Sequence, residues 1–218
     1  VIREFANDDS GATTKAQFSI AKAYMKMGEY RNAIQVFLKA RWKYCSDQRR
    51  AEIEYQIGNC LYLLNEYQDA SNVLGNYLVN EEEGEFGENA IFLLGDCFYK
   101  LDNYLGAFQI FRKATERYSK SNKVPGGIYC MGKSLRAMNM PESAIKILRE
   151  VIQAFPVDDT VGKMAFEIGM CYFDKGDYCL AYNAFDSFVK QYPQDELVVE
   201  AMIVMSDALL NDKKYVEA

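Results

Sequence analysis

Three rows of side chains that recur every 37 residues contain the residues best suited to bind another molecule. The first row is aromatic apart from its last member: Phe18, Tyr55, Phe92, Tyr129, Phe166 and Ile203. The second row, four residues later, varies in charge and polarity: Lys22, Asn59, Asp96, Lys133, Met170 and Asp207. The third row, three residues further on, is mostly apolar or aromatic: Met25, Tyr62, Tyr99, Arg136, Phe173 and Leu210. On a helix, these offsets place all three rows on one face.

Such a face suits the recognition of a polypeptide segment. Tyrosine and phenylalanine bury a large area with little loss of conformational freedom, and tyrosine keeps a hydroxyl group for hydrogen bonding. A row that only packs tends to stay apolar, whereas the central row changes in sign and polarity between repeats. We therefore predict a binding face with two aromatic walls and a central polar row that reads an extended or helical segment. The competing interpretation, that the aromatic side chains pack neighbouring helices together, stays open at this point.

The sequence offers little to catalysis. The chain contains no histidine, so the usual general base near neutral pH is missing, and no serine or cysteine has a recognisable activating neighbour. Paired carboxylates such as Asp158 and Asp159 fall in predicted turns, where solvation and helix capping explain them. No pair of cysteines has the spacing of metal ligands. We therefore predict a protein that is not an enzyme and that has no metal ion or cofactor.

Further columns with the same period predict the helices that position the three rows. A column of small residues lies at Ala21, Gly58, Gly95, Gly132, Gly169 and Ser206. An alanine follows each of them after twelve residues, and a large apolar residue follows the first five after sixteen. A fixed period without insertions is typical of a solenoid, in which each unit contacts its neighbours. We predict a single array, 1–218, with repeats 14–50, 51–87, 88–124, 125–161 and 162–198 and partial repeats 1–13 and 199–218.

Each unit is predicted to be an antiparallel pair of α-helices. In the fifth unit, apolar residues from Phe166 to Phe173 follow helical spacing, and the polar run from Asp174 to Asp177 breaks the helix. A second helix from about Cys179 to Tyr192 stops at Pro193, because proline cannot continue it. Glycine in mid-helix costs about 1 kcal/mol relative to alanine, so the small column requires a packing reason. We expect it to face the alanine twelve residues later across a close helix contact.

Composition narrows the range of partners. The chain has 218 residues, half of them hydrophobic, and a net charge of −6 in which 25 basic residues are scattered among 31 acidic ones. This disfavours nucleic acid and anionic membranes as partners, since both attract clustered lysine and arginine. No apolar run approaches the roughly 20 residues of a membrane span. The expected partner is therefore a protein or a peptide, without direct membrane insertion.

Six cysteines raise the question of disulfides. Cys60, Cys97 and Cys171 occupy one column, whose other members are also small residues. Equivalent positions on stacked helices lie about 8–10 Å apart, beyond the roughly 7 Å between Cα atoms that a disulfide can span. We therefore predict buried thiols that pack as small hydrophobic side chains.

The repeated columns resemble those of the tetratricopeptide repeat (TPR). The resemblance rests on Ile57-Gly58, Leu94-Gly95 and Ile168-Gly169, followed in register by Tyr or Phe, Ala, Phe and a terminal Pro, and it covers nearly the whole chain. The longer period and the endings Phe155-Pro156 and Tyr192-Pro193 are similar to a bacterial envelope subclass, typified by the outer-membrane assembly lipoprotein and the Tol-Pal coordinator protein. The resemblance implies a right-handed α-solenoid whose first helices line a concave groove for other proteins.

These observations predict a non-catalytic scaffold that binds a partner segment in its concave groove. The resemblance implies a bacterial envelope complex, in the periplasm or at the outer membrane, and the compartment stays open. The alternative is a structural spacer in a secretion, motility or assembly machine that contacts neighbours by its edges, and unpaired cysteines favour a cytoplasmic location. Homo-oligomerisation is compatible with both. At the chain ends, Val1–Phe5 resembles the end of a second helix and Lys214–Ala218 the start of one. This pattern predicts a longer array.

Overall fold

The computed structural model describes residues 11–41, 47–81 and 83–212, and within these ranges all regular structure is α-helical. The helices of these ranges are α1 (Gly11–Lys26), α2 (Tyr30–Arg41), α3 (Asp47–Leu63), α4 (Tyr67–Glu81), α5 (Gly87–Lys100), α6 (Tyr104–Arg117), α7 (Val124–Ala137), α8 (Pro141–Ala154), α9 (Val161–Asp174), α10 (Tyr178–Gln191) and α11 (Val198–Asn211). The all-α prediction is confirmed. The predicted helix fragments at Val1–Phe5 and Lys214–Ala218 lie outside the described residues, as does Cys45.

The chain forms two compact units, residues 1–103 and 104–218. We call the odd-numbered helices first helices and the even-numbered helices second helices. In the first unit, α1 with α2 and α3 with α4 form hairpins, and α2 and α4 each pack on the helix that follows. In the second unit, α7 with α8 and α9 with α10 form hairpins, and α6, α8 and α10 each pack on the helix that follows. Within each unit this is the nearest-neighbour packing of a solenoid.

One left-handed residue shapes the turn between the two helices of every repeat. Its φ angle is positive at Gly28, Asn65, Asp102, Asn139 and Gly176. In the fifth turn, the Gly176 N–H donates to the Phe173 carbonyl at 2.9 Å and the Asp177 N–H donates to the Tyr172 carbonyl at 3.0 Å, and the same pair of bonds recurs in the other four turns. This Schellman arrangement satisfies the last carbonyl groups of the first helix. Glycine, asparagine and aspartate fill this column because they adopt the left-handed conformation most readily.

The glycine column faces a large residue of the second helix, and the prediction that it faces the alanine is wrong. A Cβ atom added at Gly58 would lie 2.7 Å from Leu74 Cδ2, and one added at Gly169 would lie 2.6 Å from Phe185 Cε1. These contacts join positions sixteen residues apart. The alanines twelve residues after the column are fully buried as well: Ala33, Ala70, Ala107, Ala144 and Ala181. Glycine is needed in mid-helix because the side chain of the second helix occupies the space of a Cβ atom.

Replacing Gly58 by alanine should lower the free energy of unfolding. Alanine gains about 1 kcal/mol of helix propensity, but overpacking a core contact costs about 1–3 kcal/mol, and Leu74, whose side chain the new Cβ atom would meet, is fully buried. We expect a net loss of about 1 kcal/mol in urea denaturation.

The matched control for this substitution is Gly75→Ala in the neighbouring helix α4. A Cβ atom added at Gly75 meets nothing within 4 Å, so this variant should be stabilised by about 1 kcal/mol. Equal stabilisation of both variants would contradict the packing at Gly58.

The connections between repeats also share a turn. In one of them, the Asp158 N–H donates to the Phe155 carbonyl at 3.1 Å, and the Asp158 carboxylate accepts the N–H of Thr160 at 2.9 Å. The acidic connection of the second repeat, between Glu81 and Gly87, contains an equivalent turn, in which the Gly84 N–H donates to the Glu81 carbonyl at 2.9 Å. Equivalent turns follow Tyr118 and Tyr192, so the described connections between repeats share one backbone path.

Three of the cysteines are buried free thiols: Cys60, Cys97 and Cys171. Burial raises the pKa of Cys60 to about 11 and the pKa values of Cys97 and Cys171 to about 12. The prediction of buried, unpaired thiols is confirmed for these three residues.

A thiol reagent such as iodoacetamide should modify exposed Cys179 well before the buried cysteines. Because the thiolate is the reactive form, we expect the buried thiols to react roughly a hundredfold more slowly at a pH of about 8. Mass spectrometry of tryptic peptides after timed labelling of the native protein measures the rates. In urea the rates should converge, and equal rates in the native protein would contradict the burial.

Candidate partner-binding surface

The first aromatic row lies partly inside the helix packing. In the second unit, Phe166 exposes 6% of its surface, and its ring centroid lies 5.3 Å from that of Phe185 and 5.8 Å from that of Phe188. In the first unit, Phe92 exposes 8%. The prediction that Phe92 and Phe166 line an open groove is therefore wrong. Both serve the packing role that the sequence also allowed.

The other aromatic members of this row are half-buried. The edge of the Phe18 ring meets Phe37 at a centroid distance of 5.6 Å. Tyr55 stacks on Phe86 of the acidic connection at 4.9 Å, and burial raises the pKa of Tyr55 above its ordinary value. Tyr129 packs partly against the core of the second unit. Each of these rings keeps one part accessible while the rest supports the fold.

No member of the central row is buried in either unit. Lys22 and Asp207 are exposed, whereas Asn59, Asp96, Lys133 and Met170 are half-buried. The Lys22 ammonium lies 2.8 Å from the Glu52 carboxylate and 4.5 Å from the centroid of the Phe18 ring. The Lys133 ammonium lies 5.6 Å from the centroid of the Tyr129 ring. These cation–π contacts position each amine over a ring of the first row.

The third row borders the central row and is half-buried at Met25, Tyr62, Tyr99, Arg136 and Phe173. Its aromatic rings pack on the start of their own second helices, since Tyr62 meets Tyr67 and Phe173 meets Tyr178, each at 5.5 Å between centroids. On the face that carries the three rows, the solvent-accessible surface therefore consists of the central row and the unburied parts of the two rows beside it. This surface is narrower than the predicted groove.

Arg136 is held in an ion-pair network inside the second unit. Its Nε donates to the Glu167 carboxylate, and its Nη1 donates to Asp174 Oδ2 at 2.9 Å. The Glu167 side chain is only 4% exposed. Burial opposes the charge of Arg136, but the two carboxylates raise its pKa above the ordinary value. Its guanidinium therefore holds α7 against α9, a role that differs from the predicted contact with a partner.

Sequence reasoning missed Glu167, although its column contained a signal. The equivalent positions in the other repeats carry no charge: Ser19, Gln56, Leu93, Cys130 and Val204. A single carboxylate in an otherwise uncharged column, next to the one arginine of the third row, indicates an ion pair between neighbouring repeats.

Replacing Glu167 by glutamine should lower the free energy of unfolding by about 1–3 kcal/mol, because the substitution leaves the half-buried Arg136 without its closest counter-charge. Asp174→Asn is the matched control, since it neutralises the more exposed partner of the same guanidinium, and it should cost less than about 1 kcal/mol. Guanidinium chloride denaturation of both variants measures the difference. Equal losses would show that burial does not set the strength of the network.

Neither a cluster of metal-ligating side chains nor a membrane-spanning helix is present in the described part of the chain. No group of three His, Cys, Asp or Glu residues in residues 11–41, 47–81 and 83–212 could hold a metal ion. No helix in these ranges has both the length and the apolar character needed to cross a membrane.

Two family models of the tetratricopeptide repeat match the chain. One matches residues 89–121, 129–156 and 165–195, and the other matches residues 14–40. One curated relative, outer dynein arm-docking complex subunit 4 of Danio rerio, is 26% identical over 115 residues. That match covers 50% of this chain and 23% of the relative, so the chain spans about a quarter of the relative's length.

Solved structures of tetratricopeptide repeat proteins share the fold. A protein from Parabacteroides merdae has a TM-score of 0.79 at 11% identity, covering 95% of this chain and 76% of that one. MamA from Desulfovibrio magneticus RS-1 has a TM-score of 0.70 at 19% identity, covering 87% and 99%. YrrB, described as a TPR protein with an unusual peptide-binding site, has a TM-score of 0.66 at 19% identity, covering 92% and 95%. At these identities the likeness concerns the fold.

Proposed function

The chain belongs to the tetratricopeptide repeat family, and we propose from this premise that it is a non-catalytic scaffold that binds a segment of a partner protein along its first helices. Proteins of this family generally mediate interactions between proteins. The observation that carries the proposal is the variation of the central row, which changes between cationic, polar, anionic and apolar side chains from repeat to repeat and of which no member is buried. The third row is not buried either, but it is mostly apolar or aromatic, and the first row buries Phe92 and Phe166.

The proposed contact in the second unit is centred on Lys133 and Met170. Lys133 supplies a cation above the Tyr129 ring, and Met170 supplies a flexible apolar side chain on the next first helix. Methionine adapts its shape to different neighbours, so this pair suits a segment that alternates apolar and acidic or carbonyl groups. Arg136 is not part of the proposed contact, because two carboxylates of its own chain bind it.

We extend the proposal to a bacterial envelope complex on the basis of the sequence resemblance alone. The support is the pair of endings Phe155-Pro156 and Tyr192-Pro193. The compartment stays a prediction.

A second candidate function is a structural spacer in a large machine that contacts its neighbours by its edges. The observation that favours it is the match to a subunit of the outer dynein arm-docking complex, which the name of that relative assigns to a docking assembly. In this case, exposed side chains of the second helices, such as Lys146 on α8, would make the contacts.

One pair of charge reversals separates the two candidates. For the scaffold, Lys133→Glu should weaken capture of the partner roughly tenfold or more, since it reverses the charge at the proposed contact. Lys146→Glu is the matched control, because it makes the same chemical change on an exposed second helix of the same unit. Quantitative affinity capture from native extract, read by mass spectrometry, measures both variants. Thermal unfolding should stay nearly unchanged in each of them.

The opposite pattern, with capture lost in Lys146→Glu and kept in Lys133→Glu, would overturn the scaffold and support the spacer. If neither reversal changes the amount of partner captured, both candidate functions are wrong.

A further inference from the structure

The connections that follow α6, α8 and α10 lie along one edge of the second unit and begin with equivalent turns. In each turn the N–H of the fourth residue donates to the carbonyl of the first, at 2.8, 3.1 and 3.0 Å, over residues 118–121, 155–158 and 192–195. The second helices of stacked antiparallel pairs run in one direction, so their ends share an edge. The two central residues of each turn are exposed. We call this set of turns the connection edge.

The turn after α8 carries an apolar run that the other two turns lack. Its residues 154–157 are Ala, Phe, Pro and Val, and all four are exposed. Val157 exposes 94% of its surface. The equivalent residues 117–120 and 191–194 each include at least two polar or charged side chains. Four consecutive apolar residues in contact with water are unfavourable unless another surface covers them.

The turn itself does not require a valine at this position. Pro156 suits the second position of the turn because its ring fixes φ, and the Asp158 carboxylate accepts the Thr160 N–H at 2.9 Å. Val157 contributes to neither feature and is almost fully exposed. A polar residue serves an equivalent turn at Lys120. Val157 is therefore a candidate contact for another surface.

The turns after α6 and α8 also differ in charge. Residues 117–123 contain three basic residues and no acidic residue, whereas residues 154–160 contain two acidic residues and no basic residue. Lys120 and Asp159 are exposed members of these two sets. One chain therefore carries two complementary surfaces on neighbouring turns of the same edge. This complementarity favours a second copy of the chain as the partner, since each copy supplies both surfaces.

We propose that this chain dimerises through the connection edge of its second unit, with the turn after α8 of each copy against the turn after α6 of the other. A two-fold axis between these turns brings Lys120 of each copy opposite Asp159 of the other, so the ion pair forms twice. The apolar run then lies on half-buried Tyr118 and on the aliphatic part of the Lys120 side chain. The proposal is independent of the partner that the central row binds.

Burial of Val157 in both copies gives association a driving force that exposed ion pairs lack, whereas the charges decide which turns meet. The contact is isologous, so it closes at two copies and does not extend into longer assemblies. Two turns from each copy form a small interface, and interfaces below about 1,200 Å² are typically weak. We therefore expect a dissociation constant in the micromolar range.

Sedimentation equilibrium of the 218-residue chain, at concentrations up to about 500 µM, tests the proposal. We expect a monomer–dimer equilibrium that weakens as NaCl rises from about 50 mM to about 500 mM, since salt screens exposed charges. Lys120→Asp and Asp159→Lys should each weaken dimerisation roughly tenfold, because each puts like charges opposite one another. The double variant carrying both changes should restore the dimer, since it re-forms the pair with exchanged signs.

A substitution in the apolar run tests the driving force separately from the charges. Val157→Ser should weaken dimerisation roughly tenfold or more, because the two-fold axis places the lost apolar contact in the interface twice. Val79→Ser is the matched control, since Val79 on α4 of the first unit is a similarly exposed valine, at 84%. It should leave dimerisation unchanged, and thermal unfolding should stay nearly the same in both variants.

A wild-type chain that stays monomeric at every concentration, or that assembles beyond two copies, overturns the proposal. A dimer that survives Val157→Ser, or that the double charge variant fails to restore, overturns the pairing of these two turns. A monomeric chain whose capture of another protein depends on Val157 would assign the apolar run to that protein and would equally contradict the dimer.

Discussion

A close contact between the backbone of a first helix and one large side chain of its second helix, at Gly58, Gly132 and Gly169, constrains the rest of these repeats. At Gly58 and Gly169 this side chain reaches within 3 Å of where a Cβ atom would stand. A contact of this kind fixes the distance and rotation of the two helices, since neither partner can move aside in a close-packed interior. This contact therefore determines which face of each first helix points away from its second helix. The central row lies on such a face.

The fold could be predicted because its determinants are local and repeated. Period, small column and turn all recur within short stretches, and a five-fold recurrence removes the ambiguity of any single stretch. The partner of the glycine column could not be predicted in the same way. Two buried columns, at twelve and sixteen residues, are both candidates in the sequence, and the rotation of the second helix decides between them.

The candidate site was harder to predict from the sequence than the fold. Aromatic residues at helical spacing are compatible with both a hydrophobic core and a binding groove. In the structure the first row contains both cases, since Phe166 is buried in the core and Tyr129 is half-buried at its surface. Arg136 shows the second difficulty. In the sequence, an arginine in a predicted binding row is a candidate contact for a partner. Its ion pair with Glu167 could not be foreseen easily, because Glu167 lies in a different column on the next first helix. Central-row residues such as Asn59 and Lys133 were easier to single out as candidates, because a column that varies in charge and polarity is not a plain core column.

The accessibility of the central row has an evolutionary consequence. A substitution at one of its positions disturbs neither the glycine contact nor the left-handed turn, because both lie in other columns. At Lys22 and Asp207, which are exposed, stability therefore opposes change little, since substitutions of exposed residues away from such features usually alter it by less than about 0.5 kcal/mol. If the row binds a partner as proposed, a repeat with an exposed central residue can change what it recognises while the architecture of the array is inherited intact.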